Sequence, residues 1–347
     1  MRVFLTGGTG FIGQPLTHSL IARGWLVTAL VRNPESPQAL ALTRIGAQLA
    51  AGDVTDQESM CTGMTGADVV VHNAGWYELG VHKTDRALMY AINVTGTDNV
   101  LSLALELGIP RVVHVSSVVY YGDTGPEARD ETYRRESPYR LYYEQTKTEA
   151  HEIAKRYQQR GLPLMIVCPA PVVGPNDHSV WGYFLRLYLN RLMPPLAWAR
   201  DTINSGVHVN DVGEGIALAA REGRSGETYI LAGDPISMHE VLEIWMTKPG
   251  GFKVRCYVPN WLATLMFAPL PPLLRMIGLP AFISRETVSA GSMHLNFSSA
   301  KAQRELGWTY RPAREMWLSI VDQELQLLAN RKQRNLASRL KPVEALE

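Results

Sequence analysis

Residues 1–13 read MRVFLTGGTGFIG, and residues 14–24, QPLTHSLIARG, change at once to helical spacing. A buried strand that turns through glycines into a helix leaves backbone N–H groups and the positive end of the helix dipole facing outward, an arrangement that suits a pyrophosphate. Gly7, Gly10 and Gly13 follow the spacing G-x-x-G-x-x-G, with Phe11 and Ile12 at the start of the helix. Each glycine has its own steric reason: Gly7 for the tight turn, Gly10 for close approach of phosphate oxygens, Gly13 for packing of helix on strand. A glycine triplet alone is weak evidence. Its place between a strand and a helix supplies the context that dinucleotide binding demands over a plain strand-to-helix turn.

Working outward, residues 25–31, WLVTALV, form a second strand ending at Arg32. In a dinucleotide fold this end lies beside the adenosine ribose, where a carboxylate would bind a 2′-hydroxyl and an arginine a 2′-phosphate. No acid follows until Glu35, so Arg32 favours NADP(H), with NAD(H) as the alternative. Asp53 and Val54 end a short strand in AQLAAGDVTD and are placed near the adenine, with Asp53 or Thr55 as cap of the next helix. The fourth strand, DVVVH at 68–72, runs into Asn73, Ala74 and Gly75, small residues where the chain passes a bound cofactor. Residues 76–86 read as an aromatic loop and candidate wall of a substrate pocket, and 87–107 as a long helix carrying Asn93. RVVHVSS at 111–117 is a fifth strand, 139–160 a helix, and 164–168 a sixth strand closed by Pro169, which completes the expected cofactor contacts.

Six alternations of strand and helix argue for an α/β fold, a Rossmann-type doubly wound parallel sheet with sites at the carboxyl ends of its strands. Residues 1–170, with a return segment near 206–222 opened by a helix cap at Asp211, are the expected nucleotide-binding domain. Residues 171–330 are expected to form a smaller C-terminal substrate-binding lobe, and 331–347 a polar tail. With 34 basic and 33 acidic residues the net charge is +1, which gives no sign of a nucleic-acid partner. Cys61, Cys168 and Cys256 are far apart and lack a C-x-x-C pair, so neither a metal nor a disulfide framework is expected, and a reducing cytoplasmic setting fits. No apolar stretch reaches the roughly 18 residues of a membrane span. Residues 261–283 come nearest, but four prolines and Arg275 interrupt them, leaving core helix or membrane-surface contact as readings.

Tyr143 and Lys147 are four apart on a helix and share one face. A free phenol keeps its proton to about pH 10, and a neighbouring ammonium favours the phenolate, which is the chemical reason for this spacing. Ser117 ends the fifth strand, where its hydroxyl can hold a carbonyl or alkoxide oxygen, and Asn93 can position a water that relays protons to Lys147.

The set TGGTGFIG, GDV, NAG, Asn93 in NVTGTDNVL, Ser117 in VSSVVYYG and Tyr143/Lys147 in YEQTK resembles the extended short-chain dehydrogenase/reductase family, as do VHVNDVGEGIALA and FSSAKAQRELGW. The resemblance implies a Ser117-Tyr143-Lys147 site assisted by Asn93, in which tyrosine passes a proton to the substrate oxygen as nicotinamide hydride reaches the carbon, or the reverse, and Lys147 also holds the nicotinamide ribose. Val118 and Val119 stand where dehydratases of the family carry Asp-Glu, and Pro171 where many sugar-nucleotide epimerases carry asparagine. Arg32, the loop near Trp76 and the apolar stretch 261–283 look like members that act on apolar substrates, such as dihydroflavonol reductases and 3β-hydroxysteroid dehydrogenases. The leading expectation is an NADP(H)-dependent oxidoreductase interconverting a ketone and a secondary alcohol on a largely apolar small molecule. A nucleotide-sugar epimerase with tightly bound NAD and a non-catalytic dinucleotide-binding subunit are the alternatives, and a homodimer is left open.

Overall fold

A computed structural model of the chain describes residues 1–251, 253–276 and 283–340. Seven strands form one all-parallel sheet: β1 (Arg2–Thr6), β2 (Leu26–Val31), β3 (Gln48–Ala51), β4 (Val69–His72), β5 (Val112–Val115), β6 (Leu164–Pro169) and β7 (Thr228–Leu231). Their order is β7-β6-β5-β4-β1-β2-β3, and Thr6 at the end of β1 lies level with His72 at the end of β4. The chain winds outward through β2 and β3, then returns to the other side of β1, so a crevice opens between the ends of β1 and β4. β4, β5 and β6 are buried throughout, which is why they read as nearly unbroken runs of valine, isoleucine and leucine.

Helix Val209–Glu222 packs against helix Gly13–Ala22 so closely that a Cβ on Gly213 would lie 2.8 Å from the Leu16 amide nitrogen. The return segment thus packs against the first helix of the sheet-bearing half. β7, expected in the smaller lobe, is in fact the edge strand beside β6, with Tyr229 opposite Val167; a short apolar run does not declare which sheet it joins. The smaller lobe has its own core, in which Tyr188, Trp245, Trp317 and Ile320 join the helices Val180–Leu189, Met238–Met246 and Ala313–Leu340.

Two helix caps differ from expectation. The helix Gln57–Met64 is capped by Asp56, which accepts from Glu58 and Ser59 N–H, while Asp53 folds back to accept from the amide and hydroxyl of Thr55, each at 2.8 Å. His208, whose Nδ1 accepts from Asn210 N–H at 3.1 Å, caps Val209–Glu222, and Asp211 instead forms a two-pronged ion pair with Arg311. Adjacent candidate acceptors compete for the same amides, and tertiary partners decide between them. Among the described residues no helix is long and apolar enough to cross a membrane. Residues 341–347 of the expected tail lie outside the described residues, as do 277–282 of the stretch 261–283.

Candidate active site

Gly7 has φ +71°, and a Cβ there would come within 2.7 Å of the Asn73 and Ala74 backbone; on Gly13 it would come within 2.0 Å of the Gly7 carbonyl oxygen. These two glycines are therefore required by close approach of backbone to backbone. A Cβ on Gly10 would meet only the Gly7 oxygen, at 3.3 Å, so its face is open. The helix that follows has neither a side-chain cap nor an acid in its first turn, which leaves its amides and its positive end for an anion.

Around this loop lies a cavity of ≈ 830 Å³. Its lining includes Gly7, Gly10, Phe11 and Ile12, then Arg32, Asp53 and Val54, and also Asn73, Ala74, Gly75 and Pro169 together with Ser117 and Tyr143. Arg32 is exposed and has no acidic partner among the described residues. Gly13, Asn93 and Lys147 stand behind the wall rather than on it. The cradle that a Cβ would fill, the uncapped helix and the unpaired arginine together fit a nicotinamide dinucleotide.

The two serines at the end of β5 diverge. Ser116 turns inward, its hydroxyl 2.9 Å from His151 Nδ1, whereas Ser117 opens the turn Val118–Tyr120, accepts from Val119 N–H at 3.3 Å and lines the cavity with Tyr143, whose phenol it influences. Burial pushes Tyr143 up to about 12, and the influence that draws it back is Ser117. The expected acidification by Lys147 is corrected here: the ammonium donates to the Val115 carbonyl at 3.1 Å, and burial brings it down to about 8. Two residues on one helical face share a direction, but burial is the largest influence on each, and neither group acts on the other's titration.

Asn93 sits in a single π-turn, Ala91–Thr95, within a helix that otherwise runs from Arg86–Tyr90 to Gly96–Glu106. Its amide donates to the Trp76 carbonyl and to Thr146 Oγ1, both at 3.0 Å, and its Oδ1 accepts from Trp76 N–H at 2.7 Å. Asn93 thereby fixes the aromatic loop against the helix Tyr142–Gln159, and a role as water carrier rests only on the spare lone pair of Oδ1, near which a Cβ on Gly75 would fall at 3.5 Å. The backbone of Asn93 is tied in turn to the glycine loop. Ala74 N–H donates to Thr6 Oγ1, Thr6 O–H to His72 Nδ1, His72 Nε2–H to Thr97 Oγ1, and Thr97 O–H to the Asn93 carbonyl, over distances of 3.1, 2.8, 3.0 and 2.7 Å. Only the Nε2–H tautomer satisfies every member.

A second tie joins Ser117 to Tyr143. Arg135 donates to the Val119 and Tyr120 carbonyls, on the turn that Ser117 begins, and pairs with the fully buried Glu144. Glu144 also accepts from Arg140 and Leu141 N–H at 2.8 and 3.3 Å, holding the start of the helix that bears Tyr143.

Beyond the phenol the cavity becomes aromatic. Tyr77 meets Tyr143 edge to face, with centroids 5.0 Å apart. Trp76, Trp181, Trp198 and Trp245, half of the chain's eight tryptophans, line the cavity with Phe184 and Met238. Those from the smaller lobe, with Tyr77, Thr6, His72, Thr97 and Arg135, were not singled out from the sequence. The concentration of tryptophan after residue 171 was the available signal for the lobe, whereas the hydrogen-bonded tie had none beyond the NVTGT and VVVHNAG strings.

Residues 3–232 match the model of the NAD dependent epimerase/dehydratase family. The chain is 32% identical over 317 residues to a putative dihydroflavonol 4-reductase of Synechocystis sp., covering 88% of this chain and 89% of that one. It is 29% identical over 335 residues to the 4-hydroxy-2-methyl-3-oxo-4-farnesyl-3,4-dihydroquinoline-1-oxide ketoreductase of Stigmatella aurantiaca, covering 93% and 96%. Among solved structures, gox2253 superposes with a TM-score of 0.78 at 29% identity over 94% of this chain and 98% of that one. The dTDP-glucose 4,6-dehydratase DesIV of Streptomyces venezuelae shares the fold, with a TM-score of 0.74 at 22% identity over 94% and 97%. A family match over most of the chain, relatives named as reductases and a Ser-Tyr pair at the head of a glycine-loop cavity lead to one conclusion: the chain belongs to the NAD-dependent epimerase/dehydratase family, within the extended short-chain dehydrogenases/reductases.

Proposed function

We propose that the chain is an NADP(H)-dependent oxidoreductase that interconverts a ketone and a secondary alcohol on a largely apolar small molecule. The observation that carries this reading is the presence of Ser117 and Tyr143 together on the wall of a cavity that runs from the glycine loop to aromatic side chains. The bound nicotinamide supplies or accepts the hydride. Ser117 and Tyr143 hold the substrate oxygen between two hydroxyls. At neutral pH the phenol, at about 12, is protonated and serves as proton donor in the direction of reduction. Lys147 remains largely charged at pH 7 behind that pair, and Asn93 keeps the Trp76 loop in place. Gly7, Gly10, Phe11, Ile12, Asn73, Ala74 and Gly75 would hold the dinucleotide, and Arg32 its 2′-phosphate.

The names of the relatives, which include a ketoreductase acting on a farnesylated quinoline and 3β-hydroxysteroid dehydrogenases, support an apolar substrate. Val118, Val119 and Pro171 line the cavity where elimination or sugar-nucleotide chemistry would call for polar groups. Tyr143→Phe tests the reading: NADPH binding is retained while reduction of apolar ketones falls by about 10²–10⁴-fold, the range for loss of a positioned general acid. Unchanged turnover would remove Tyr143 from the chemistry. Arg32→Ala weakens NADPH more than NADH, and equal losses for both would defeat the 2′-phosphate assignment.

A further inference from the structure

The helix Asn260–Phe267 buries only Ala263 fully. Its inner side carries Phe267, whose ring stands 5.2 Å from that of Trp198, a wall of the aromatic end of the cavity. Its outer side is apolar and bare: Trp261 is 69% and Leu265 65% exposed, one helical turn apart, with Met266 beside them. The surface continues onto the neighbouring loop. Cys256 pairs with Leu196 and Arg255 N–H donates to the Pro195 carbonyl, while Gly251 packs near Arg191, which precedes the 70% exposed Leu192.

The segment that carries this apolar face holds charges of one sign. Residues 244–276 contain Lys248, Lys253, Arg255 and Arg275 and no aspartate or glutamate. Lys248 is paired with Asp322, but the exposed Arg191, Lys253 and Arg255 have no ion pair among the described residues. The neighbouring acids, Asp201 and Glu243, stand beside Tyr257, and Glu243 already faces His239. A second copy of the chain is a poor occupant, because a twofold contact would set these cations against themselves. Exposed tryptophan and leucine on a segment whose charges are unpaired cations match an interface that is apolar below and anionic at its surface.

We propose that the face formed by Trp261, Leu265, Met266 and Leu192, with Arg191, Lys253 and Arg255, docks on an anionic lipid bilayer. Docking there sets the aromatic end of the cavity, through the Phe267–Trp198 wall, next to the bilayer from which an apolar substrate would partition. The test needs no turnover, so it stands apart from the redox reading. Full-length protein is sedimented with vesicles of phosphatidylcholine alone and of phosphatidylcholine mixed with phosphatidylglycerol. Binding to the mixed vesicles exceeds binding to phosphatidylcholine several-fold and weakens with added salt. Trp261→Ser with Leu265→Ser, and separately Arg255→Glu with Lys253→Glu, lower it by about tenfold while leaving thermal unfolding at the parent value, because none of the four lines the cavity. Absent binding, equal binding to both vesicles, or variants that bind like the parent overturn the proposal. Concentration-dependent self-association abolished by the Trp261/Leu265 pair, without lipid binding, overturns it in favour of a second copy.

Discussion

Lowering the pH from 7 to 5 should destabilise the fold through histidines that it buries uncharged. Burial pulls His72 and His151 down to about 3 and His208 to about 4, and it holds His114 well below the ordinary value; both ring nitrogens of His114 lack a partner. In the unfolded chain these rings titrate near 6.5. Between that value and about 3 the unfolded state binds more protons than the folded one, so stability present at pH 7 is lost as pH falls. At pH 5 an unfolded histidine with a pKa of about 6.5 is stabilised by RT ln(1 + 10^1.5), or about 2 kcal/mol, so His72 and His151 together account for about 4 kcal/mol. Asp177 and Glu131, raised by burial, take up protons in the folded state and offset part of this loss, while His114 and His208 add to it, so about 4 kcal/mol is the share of the His72/His151 pair alone. The loss is a large share of the roughly 5–15 kcal/mol that holds a typical domain. Urea unfolding followed by circular dichroism at a series of pH values should show the midpoint falling with little change of slope, and His151→Gln should reduce the pH dependence by about one proton. Equal stability at pH 7 and 5, or His72 and His151 resonances of the folded protein titrating near 6.5, would refute the reasoning.

Two further substitutions probe the ties around the site. Arg135→Met leaves Glu144 as an unpaired buried carboxylate and frees the Val119 and Tyr120 carbonyls; a loss of about 3–5 kcal/mol is expected, with kcat falling more than KM rises, and the double change Arg135→Met/Glu144→Gln should recover stability before activity. Stability unaffected by the single change would show that the pair is not buried in solution. Gly13→Ala forces a Cβ onto the Gly7 carbonyl and should abolish dinucleotide binding, whereas Gly10→Ala, whose Cβ meets only one atom, should weaken it while leaving the fold intact; calorimetric titration with NADPH and NADH distinguishes the two, and equal affinities for both variants would contradict the cradle.

What was legible in the sequence follows from how locally each feature is determined. The glycine spacing and the apolar strands constrain backbone within a few residues, and both the crevice and its lining emerge from them. Ser117 was read from its place at the end of the fifth strand, and the structure separates it from its neighbour: Ser117 stands on the cavity wall with Tyr143, while the Ser116 hydroxyl meets His151. Features decided over long separations were hidden. Helical spacing placed Lys147 on the face of Tyr143 but gave no measure of how strongly burial would act on either group. Asp56 rather than Asp53 caps its helix, and His208 rather than Asp211, because Thr55 and Arg311 claim the carboxylates first. Tyr77 reaches Tyr143 from a loop more than sixty residues away in sequence, a contact no periodicity announces.

The series of hydrogen bonds from Ala74 through Thr6, His72 and Thr97 to Asn93 has one direction throughout, since the backbone amide at one end can only give and the carbonyl at the other can only take. Reversing any hydroxyl would strand a polar atom beneath the sheet. The series therefore acts as a strut, holding the Thr6 end of the glycine loop in fixed register with the Asn93 backbone and, through the Asn93 side chain, with the Trp76 loop.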